Sequence, residues 1–187
     1  MISVKIEDIF GELPTLETER TILRKITIDD LTDMYNYCSD DNVSEYTTWY
    51  SHQSLDDTRG FIEHILNAYS NSEVAPWGII DKQTSTFIGT SGFVYWDINH
   101  SKAELGYALS RDFWNKGIMS EVVGRIIDFG FKDMDLVRIE ARCLPNNIGS
   151  ARVMEKTGMI CEGILRKQIY TKGEHQDLKI YSIVKEG

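Results

Sequence analysis

Residues Phe113–Glu121 read FWNKGIMSE, an apolar helix that opens on Asn-Lys-Gly. From Ile118 onward the apolar residues fall at Ile118, Met119, Val122, Val123, Ile126 and Ile127. That spacing repeats once per helical turn and predicts one buried stripe. Just upstream, the residues up to Leu109 read as a strand, so the stretch is strand, glycine-containing loop, helix. Such a helix start points several unpaired backbone N–H groups and the positive end of the helix dipole at one spot. That spot suits an anion. Lys116 adds a full positive charge beside it, and Gly117 removes the side chain that would hold a phosphate away from the backbone. The loop has neither GxxxxGK[ST] nor GxGxxG, which argues against a nucleotide P-loop and a dinucleotide fingerprint. A plain helix start with a solvated lysine has the same local pattern.

Outward from this stretch, Arg20–Ile26 reads as a first strand. Two helices follow, behind capping boxes at Thr27-Ile28-Asp29-Asp30 and Ser54-Leu55-Asp56-Asp57. The second helix carries Phe61, Ile62, Ile65, Leu66 and Tyr69 along one face. Between the helices lies the aromatic stretch Tyr46-Thr47-Thr48-Trp49-Tyr50. Three strands in meander order are expected near Trp77–Asp81, Phe87–Trp96 and Lys102–Leu109. Past the helix from Ile118, Val137–Cys143 alternates strictly and reads as a strand, with Val137, Ile139, Ala141 and Cys143 on one face. A short helix from about Gly149 to Lys156 should end at Gly158. Strands near Ile164–Tyr170 and Leu178–Val184 should form a final hairpin around Lys172-Gly173. The plan is α/β with a mixed sheet: hairpins force antiparallel pairs, and the strand-helix-strand crossover favours a parallel one.

The 187 residues, 42% hydrophobic and 26% charged, suffice for one well-covered core, and a single domain over 1–187 is expected. A net charge of −9 disfavours a general grip on nucleic acid. Cys38, Cys143 and Cys161 are unclustered and without CxxC, as suits reduced thiols in a cytoplasmic protein. The first residues, MISVKIEDIF, mix acids with apolar residues, and no stretch approaches a membrane span, so no membrane role is expected. His52, His64, His100 and His175 are scattered, and no metal is expected.

LETERTILR at Leu16–Arg24, FIGTSG at Phe87–Gly92, AELGYAL at Ala103–Leu109, the FWNKGIMSE run, and NIGSARVMEKTGMICEG at Asn147–Gly163 occur in this order. Together they resemble the GCN5-related N-acetyltransferases (GNAT), most nearly the branch of bacterial ribosomal-protein amino-terminal alanine and serine acetyltransferases. The resemblance runs from about residue 16 to 184. It implies a mostly antiparallel seven-stranded sheet flanked by about four helices and splayed between its fourth and fifth strands. It also implies acetyl-coenzyme A as co-substrate in that opening, its pyrophosphate on the loop that starts the next helix. The acceptor it implies is a primary amine, either a protein amino terminus or a small molecule such as a polyamine or aminoglycoside. A homodimer is compatible with it. A non-catalytic acyl-coenzyme A sensor or interaction module on the same fold is the alternative reading.

Carried over by position, Trp114, Asn115, Lys116, Gly117, Ile118 and Met119 occupy the family's Q/R-x-x-G-x-G/A loop, with Gly117 on its first glycine. Trp114 replaces the Gln or Arg, and Met119 replaces the small final residue. Tyr107 and Leu109 match positions whose backbone pairs with the pantetheine arm; their side chains read as core. Ser150 matches a serine that serves the leaving sulfur, although a serine in a first helical turn is also a common cap. Asn147 matches a residue that contacts the arm. Glu104 is the candidate base that takes a proton from the amine, with a strand carboxylate paired to an Arg or Lys as the plainer reading. Tyr46, Trp49 and Tyr50 fall in the region that lines the acceptor side, where aromatic faces attract a cation; core packing or a lid explains them equally.

Overall fold

The computed structural model describes residues 4–186. Met1–Ser3 and Gly187, which belong to the expected single domain, lie outside the described residues. Eight strands form one sheet in the order β1-β2-β3-β4-β5-β6-β8-β7. They are β1 Leu16–Glu17, β2 Thr21–Arg24, β3 Trp77–Asp81, β4 Phe87–Asp97, β5 Lys102–Leu109, β6 Arg138–Cys143, β7 Ile160–Thr171 and β8 Glu174–Val184. Among the described residues only β5 and β6 pair in parallel, joined by α5 (Ile118–Lys132) as the crossover. The remaining helices are α1 Ile6–Phe10, α2 Leu31–Cys38, α3 Asp41–Ser44, α4 Leu55–Ser70 and α6 Ile148–Lys156.

Among the described residues, the expected seven strands and about four helices become eight and six. The additions are β1, of two residues, and α1 and α3, of five and four. Segments this short complete no hydrophobic period, so no pattern marks them. Both expected capping boxes form. Asp30 accepts from the Thr27 N–H ahead of α2, and Asp57 accepts from the Ser54 N–H at the start of α4. The final hairpin is longer than its alternation suggested, because positive φ at Gly163 and Lys167 and two register shifts against β8 interrupt the period.

The core lies on both faces of the sheet. Phe93 and Leu105 stand opposite each other, with Ile139 on the same face, and Gly130 of α5 packs against it: a Cβ there would come 2.8 Å from the Ile139 side chain. Ile118, Met119, Val122, Val123, Ile126 and Ile127 are all buried beneath α5, as their spacing predicts.

One irregularity shapes the centre of the sheet. β4 carries a bulge between Phe93 and Tyr95, opposite Leu105 and Glu104. Bulges bend a strand and increase its twist. At the same level β5 stops pairing with β6: the register runs Lys102↔Arg138 to Leu105↔Ala141 and no further. Beyond it β5 stays paired to β4 as far as Leu109, and β6 to β8 as far as Cys143. The two strands part, and a wedge-shaped gap opens in the middle of the sheet.

Candidate active site

The parting leaves one edge of β5 free. Ser110 donates its N–H to the Ile88 carbonyl at 2.7 Å, which fixes the phase of the β4–β5 ladder. Antiparallel pairs alternate between hydrogen-bonded and non-bonded, so Ala108 and Gly106 turn their polar groups to β4. Tyr107 and Leu109 turn theirs to the gap. The Leu109 carbonyl is taken by the Trp114 indole N–H at 2.8 Å. The Tyr107 N–H and C=O and the Leu109 N–H remain on the open edge.

Beyond Leu109 the chain makes one turn of 3₁₀ helix and enters α5 at Gly117, whose φ of 75° lies in the left-handed region that glycine tolerates. Asn115, two residues earlier, is also left-handed with φ 59°. No side chain caps this helix. Its first internal bond is Glu121 N–H to the Gly117 carbonyl, so the N–H groups of Ile118, Met119 and Ser120 have no intrahelical partner. The side chains of Ile118 and Met119 are buried in the core, so only their backbones face the loop. Lys116 is exposed, with its ammonium 5.2 Å from the Phe113 ring centroid and no carboxylate partner among the described residues.

Arg20, a long-range partner that local pattern could not disclose, braces this loop. Its Nη1 donates to the Lys116 carbonyl at 2.8 Å, its Nε to Glu121 at 2.8 Å, and its backbone N–H to the same carboxylate at 2.9 Å. Glu121 is held below the usual carboxylate range: burial pushes up, and hydrogen bonds from Thr18 and Arg20 outweigh it. A depression of about 590 Å³ beside the helix start is lined by Arg20, Lys82, Phe113, Lys116 and Ile118 among others.

At the other end of the gap stands α6. Asn147 is its N-cap, its Oδ1 accepting the Ser150 N–H at 3.0 Å. The capping role considered for Ser150 therefore falls to Asn147, which frees the Ser150 hydroxyl. That hydroxyl lies 2.9 Å from the Tyr107 phenol oxygen. The Tyr107 side chain, expected only to fill core, thus joins β5 directly to Ser150.

Glu104 is three residues before Tyr107 in the same strand and so projects from the opposite face of the sheet. It is half-buried, with Arg142 at 3.5 Å. Its carboxyl sits above the ordinary carboxylate value: burial raises it most, Arg142 opposes, and Glu140 adds to the rise. Glu104 therefore has the arginine partner of the plainer reading, with a carboxyl raised above its ordinary value.

The aromatic stretch is held at both ends. Asp40 at the start of α3 pairs with Arg111, just past β5, at 3.1 Å. The tip of the β7–β8 hairpin reaches across to it, with Lys172 on the Ser44 carbonyl and Thr171 on the Thr48 carbonyl. Tyr50 is exposed, with the Lys172 ammonium 5.8 Å from its ring centroid. Tyr46 and Trp49 are half-buried, and Trp49 packs against the core and His52.

Residues 20–160, which span the gap, the α5 loop and α6, match the family model for an acetyltransferase (GNAT) domain. The chain belongs to the GNAT family of acetyltransferases. It is 35% identical over 172 residues to the uncharacterized N-acetyltransferase YoaA of Bacillus subtilis, covering 92% of this chain and 97% of that protein. Solved structures share the fold. A ribosomal-protein-S5-alanine acetyltransferase from Vibrio fischeri superposes with a TM-score of 0.78 at 24% identity, over 91% of this chain and 96% of that one. The microcin C7 self-immunity acetyltransferase MccE, solved with acetyl-CoA and AMP, gives 0.81 at 23% identity, over 89% and 93%. No helix among the described residues of this acetyltransferase is long and apolar enough to cross a membrane.

Two substitutions probe the α5 loop. A Cβ at Gly117 would meet only the Arg20 side chain, at 3.7 Å, so Gly117→Glu leaves the fold in place at a backbone cost of about 1–2 kcal/mol. It should abolish calorimetric binding of coenzyme A while the far-UV dichroism stays that of the wild type; retained affinity would remove this loop from the binding site. Arg20→Ala breaks a partly exposed pair and should lower stability by about 1 kcal/mol. Coenzyme A affinity should nevertheless fall several-fold, because the Lys116 carbonyl loses its brace. Equal affinity would show that the loop holds its shape without Arg20.

Proposed function

We propose that this acetyltransferase moves the acetyl group of acetyl-coenzyme A to a primary amine by direct attack, with both substrates bound together. The observation that carries this reading is the free edge of β5, with the Tyr107 and Leu109 backbone groups turned into the gap. Unpaired amides within a sheet require partners. A thin chain bearing amides of its own, ending in phosphates, fits an edge that leads to an uncapped helix start flanked by Lys116 and Arg20. In this reading Tyr107 and Leu109 hold the pantetheine arm. Asn115, Lys116, Gly117 and the N–H groups of Ile118 and Met119 hold the pyrophosphate, and Asn147 fixes the turn that presents Ser150. Trp114 acts through the Leu109 carbonyl, fastening the loop to the strand end.

The bound thioester supplies an activated acyl carbonyl. Ser150 Oγ donates toward the sulfur position on one side of the gap. Glu104 takes a proton from the incoming amine on the other, directly or through water, because a protonated amine has no lone pair to attack with. The aromatic stretch Tyr46, Trp49 and Tyr50 borders the acceptor approach and favours a cation through its ring faces. A protein amino terminus is supported by the ribosomal-protein acetyltransferase among the structural neighbours. Polyamines and aminoglycosides are the small-molecule alternatives.

Thiol release from acetyl-coenzyme A, followed across peptides with free amino-terminal Ala or Ser, polyamines and aminoglycosides, tests the reading. Amine-dependent release is expected with at least one class. Tight coenzyme A binding with no release from any acceptor would instead favour a sensor module. Glu104→Gln keeps shape and removes basicity, so the rate at neutral pH should fall on the order of a hundredfold. The sign of the pH effect follows from the raised Glu104 pKa: the wild-type rate is lost as pH falls through a value above the ordinary carboxylate range. The variant should recover as pH climbs toward the amine's own pKa, where free amine needs no base. A loss by one constant factor at every pH would assign Glu104 to orienting the acceptor.

A further inference from the structure

The reading above uses only the backbone of Tyr107, yet its side chain ends on Ser150. The phenol oxygen lies 2.9 Å from Ser150 Oγ and 3.1 Å from the Ser150 carbonyl. Each hydroxyl has one proton, so two arrangements exist. In the first, Tyr107 donates to the carbonyl and Ser150 donates to Tyr107, which spends the serine proton inside the protein. In the second, Tyr107 donates to Ser150 Oγ, and the serine proton is left to point elsewhere. The Ser150 carbonyl already heads a turn of α6 and needs no second donor. With its N–H fixed on Asn147, Ser150 keeps only its side-chain rotors free.

We propose that Tyr107 is a positioning residue: its hydroxyl donates to Ser150 Oγ, so that the Ser150 proton faces the gap and the leaving sulfur. This rests on the assignment of Ser150 to the leaving group. Two hydroxyls in series polarise each other, so the Ser150 O–H becomes a better donor as negative charge builds in the gap. The surroundings keep Tyr107 a neutral donor. Burial pushes its pKa well up, the Ser150 hydrogen bond opposes, and Cys143 of β6 and Tyr181 of β8 add to the rise. Cys143 is itself pushed up by burial, with Lys179 opposing, and Tyr181 is raised to about 12, again by burial first. None of these groups gains charge below the ordinary thiol pKa.

Coenzyme A binding, without turnover, reads this arrangement. If the hydroxyl pair stabilises a thiolate, the bound thiol has a lower pKa than the free one, near about 8.5. Affinity should then rise with pH up to about that value and level off above it, while an analogue lacking the S–H shows no such rise. Tyr107→Phe keeps the ring and should shrink the rise several-fold and lower kcat about fivefold to tenfold, with affinity for the sulfur-free analogue unchanged. In a Ser150→Ala background, Tyr107→Phe should have no further effect. A full pH response and wild-type kcat in Tyr107→Phe, or an equal loss of affinity for the sulfur-free analogue, overturns the proposal. If Ser150→Ala impairs turnover while Tyr107→Phe does not, this inference falls and the Ser150 assignment stands. Wild-type behaviour of Ser150→Ala sinks both.

Discussion

The site depends on β5 and β6 parting after the Leu105–Ala141 pair. Each strand remains tied on its outer side, β5 to β4 through Leu109 and β6 to β8 through Cys143, so neither can swing across to close the gap. The bulge at Phe93–Tyr95 bends β4 at the level where β5 departs. A Cβ at Gly106 would come 2.9 Å from Val94, the extra residue of that bulge, so the first free residue of β5 and the bulge fit each other. In an ordinary sheet a row of unsatisfied backbone groups would be a defect; here it leaves an open edge in the middle of the sheet.

At the end of the parted strand, an acidic chain presents an uncapped helix start. The net charge of −9 describes the whole surface, but fields between exposed charges fade within about 8–10 Å at ordinary salt. At the start of α5 the local balance is different. Open N–H groups and the helix dipole face one spot, the Lys116 ammonium lies nearby over the Phe113 ring, and Arg20 spends most of its charge on Glu121 while its fork grips the loop backbone. Lys116 adds positive charge, and Arg20 holds the loop backbone in shape. Carboxylates are present there too, Glu121 on Arg20 and Glu19 and Asp81 along the depression, while a second cluster sets Glu104, Glu140 and Glu162 alongside Arg138 and Arg142 across β5, β6 and β7.

Features set by local backbone pattern were legible in the sequence. Gly117 with its helical stripe and the strand through Tyr107 and Leu109 follow from local periodicity and glycine placement, and the last helix, expected from about Gly149, begins at Ile148 behind Asn147. Residues that act through distant partners were not legible. Arg20 sits in a recognisable stretch, but its partners Lys116 and Glu121 are 96 and 101 residues away, and only the folded chain brings them together. Tyr107 looked like core because alternation reports which face a side chain takes, not what its polar tip meets. Ser150 looked like a cap because composition alone cannot choose between Asn147 and Ser150 for one helix start; the geometry gives that task to Asn147.

Glu104 and Tyr107 lie three residues apart in one strand, on opposite faces of the sheet, and this spacing has chemical consequences. Acyl transfer to an amine needs a group that accepts a proton and another that eases departure of a thiolate, and two such groups in hydrogen-bond contact would neutralise each other. A continuous sheet would keep them apart but would also bar any substrate from touching both. The gap resolves the conflict, because a reacting centre placed between the parted strands is open to both faces. Burial then pushes the Glu104 carboxyl and the Tyr107 phenol upward for the same physical reason, with opposite chemical results. The carboxylate becomes a stronger proton acceptor, and the phenol becomes a donor that holds its proton. One low-dielectric seam, split by a single parting of strands, thus carries a carboxyl of raised proton affinity on one face and a hydroxyl pair on the other.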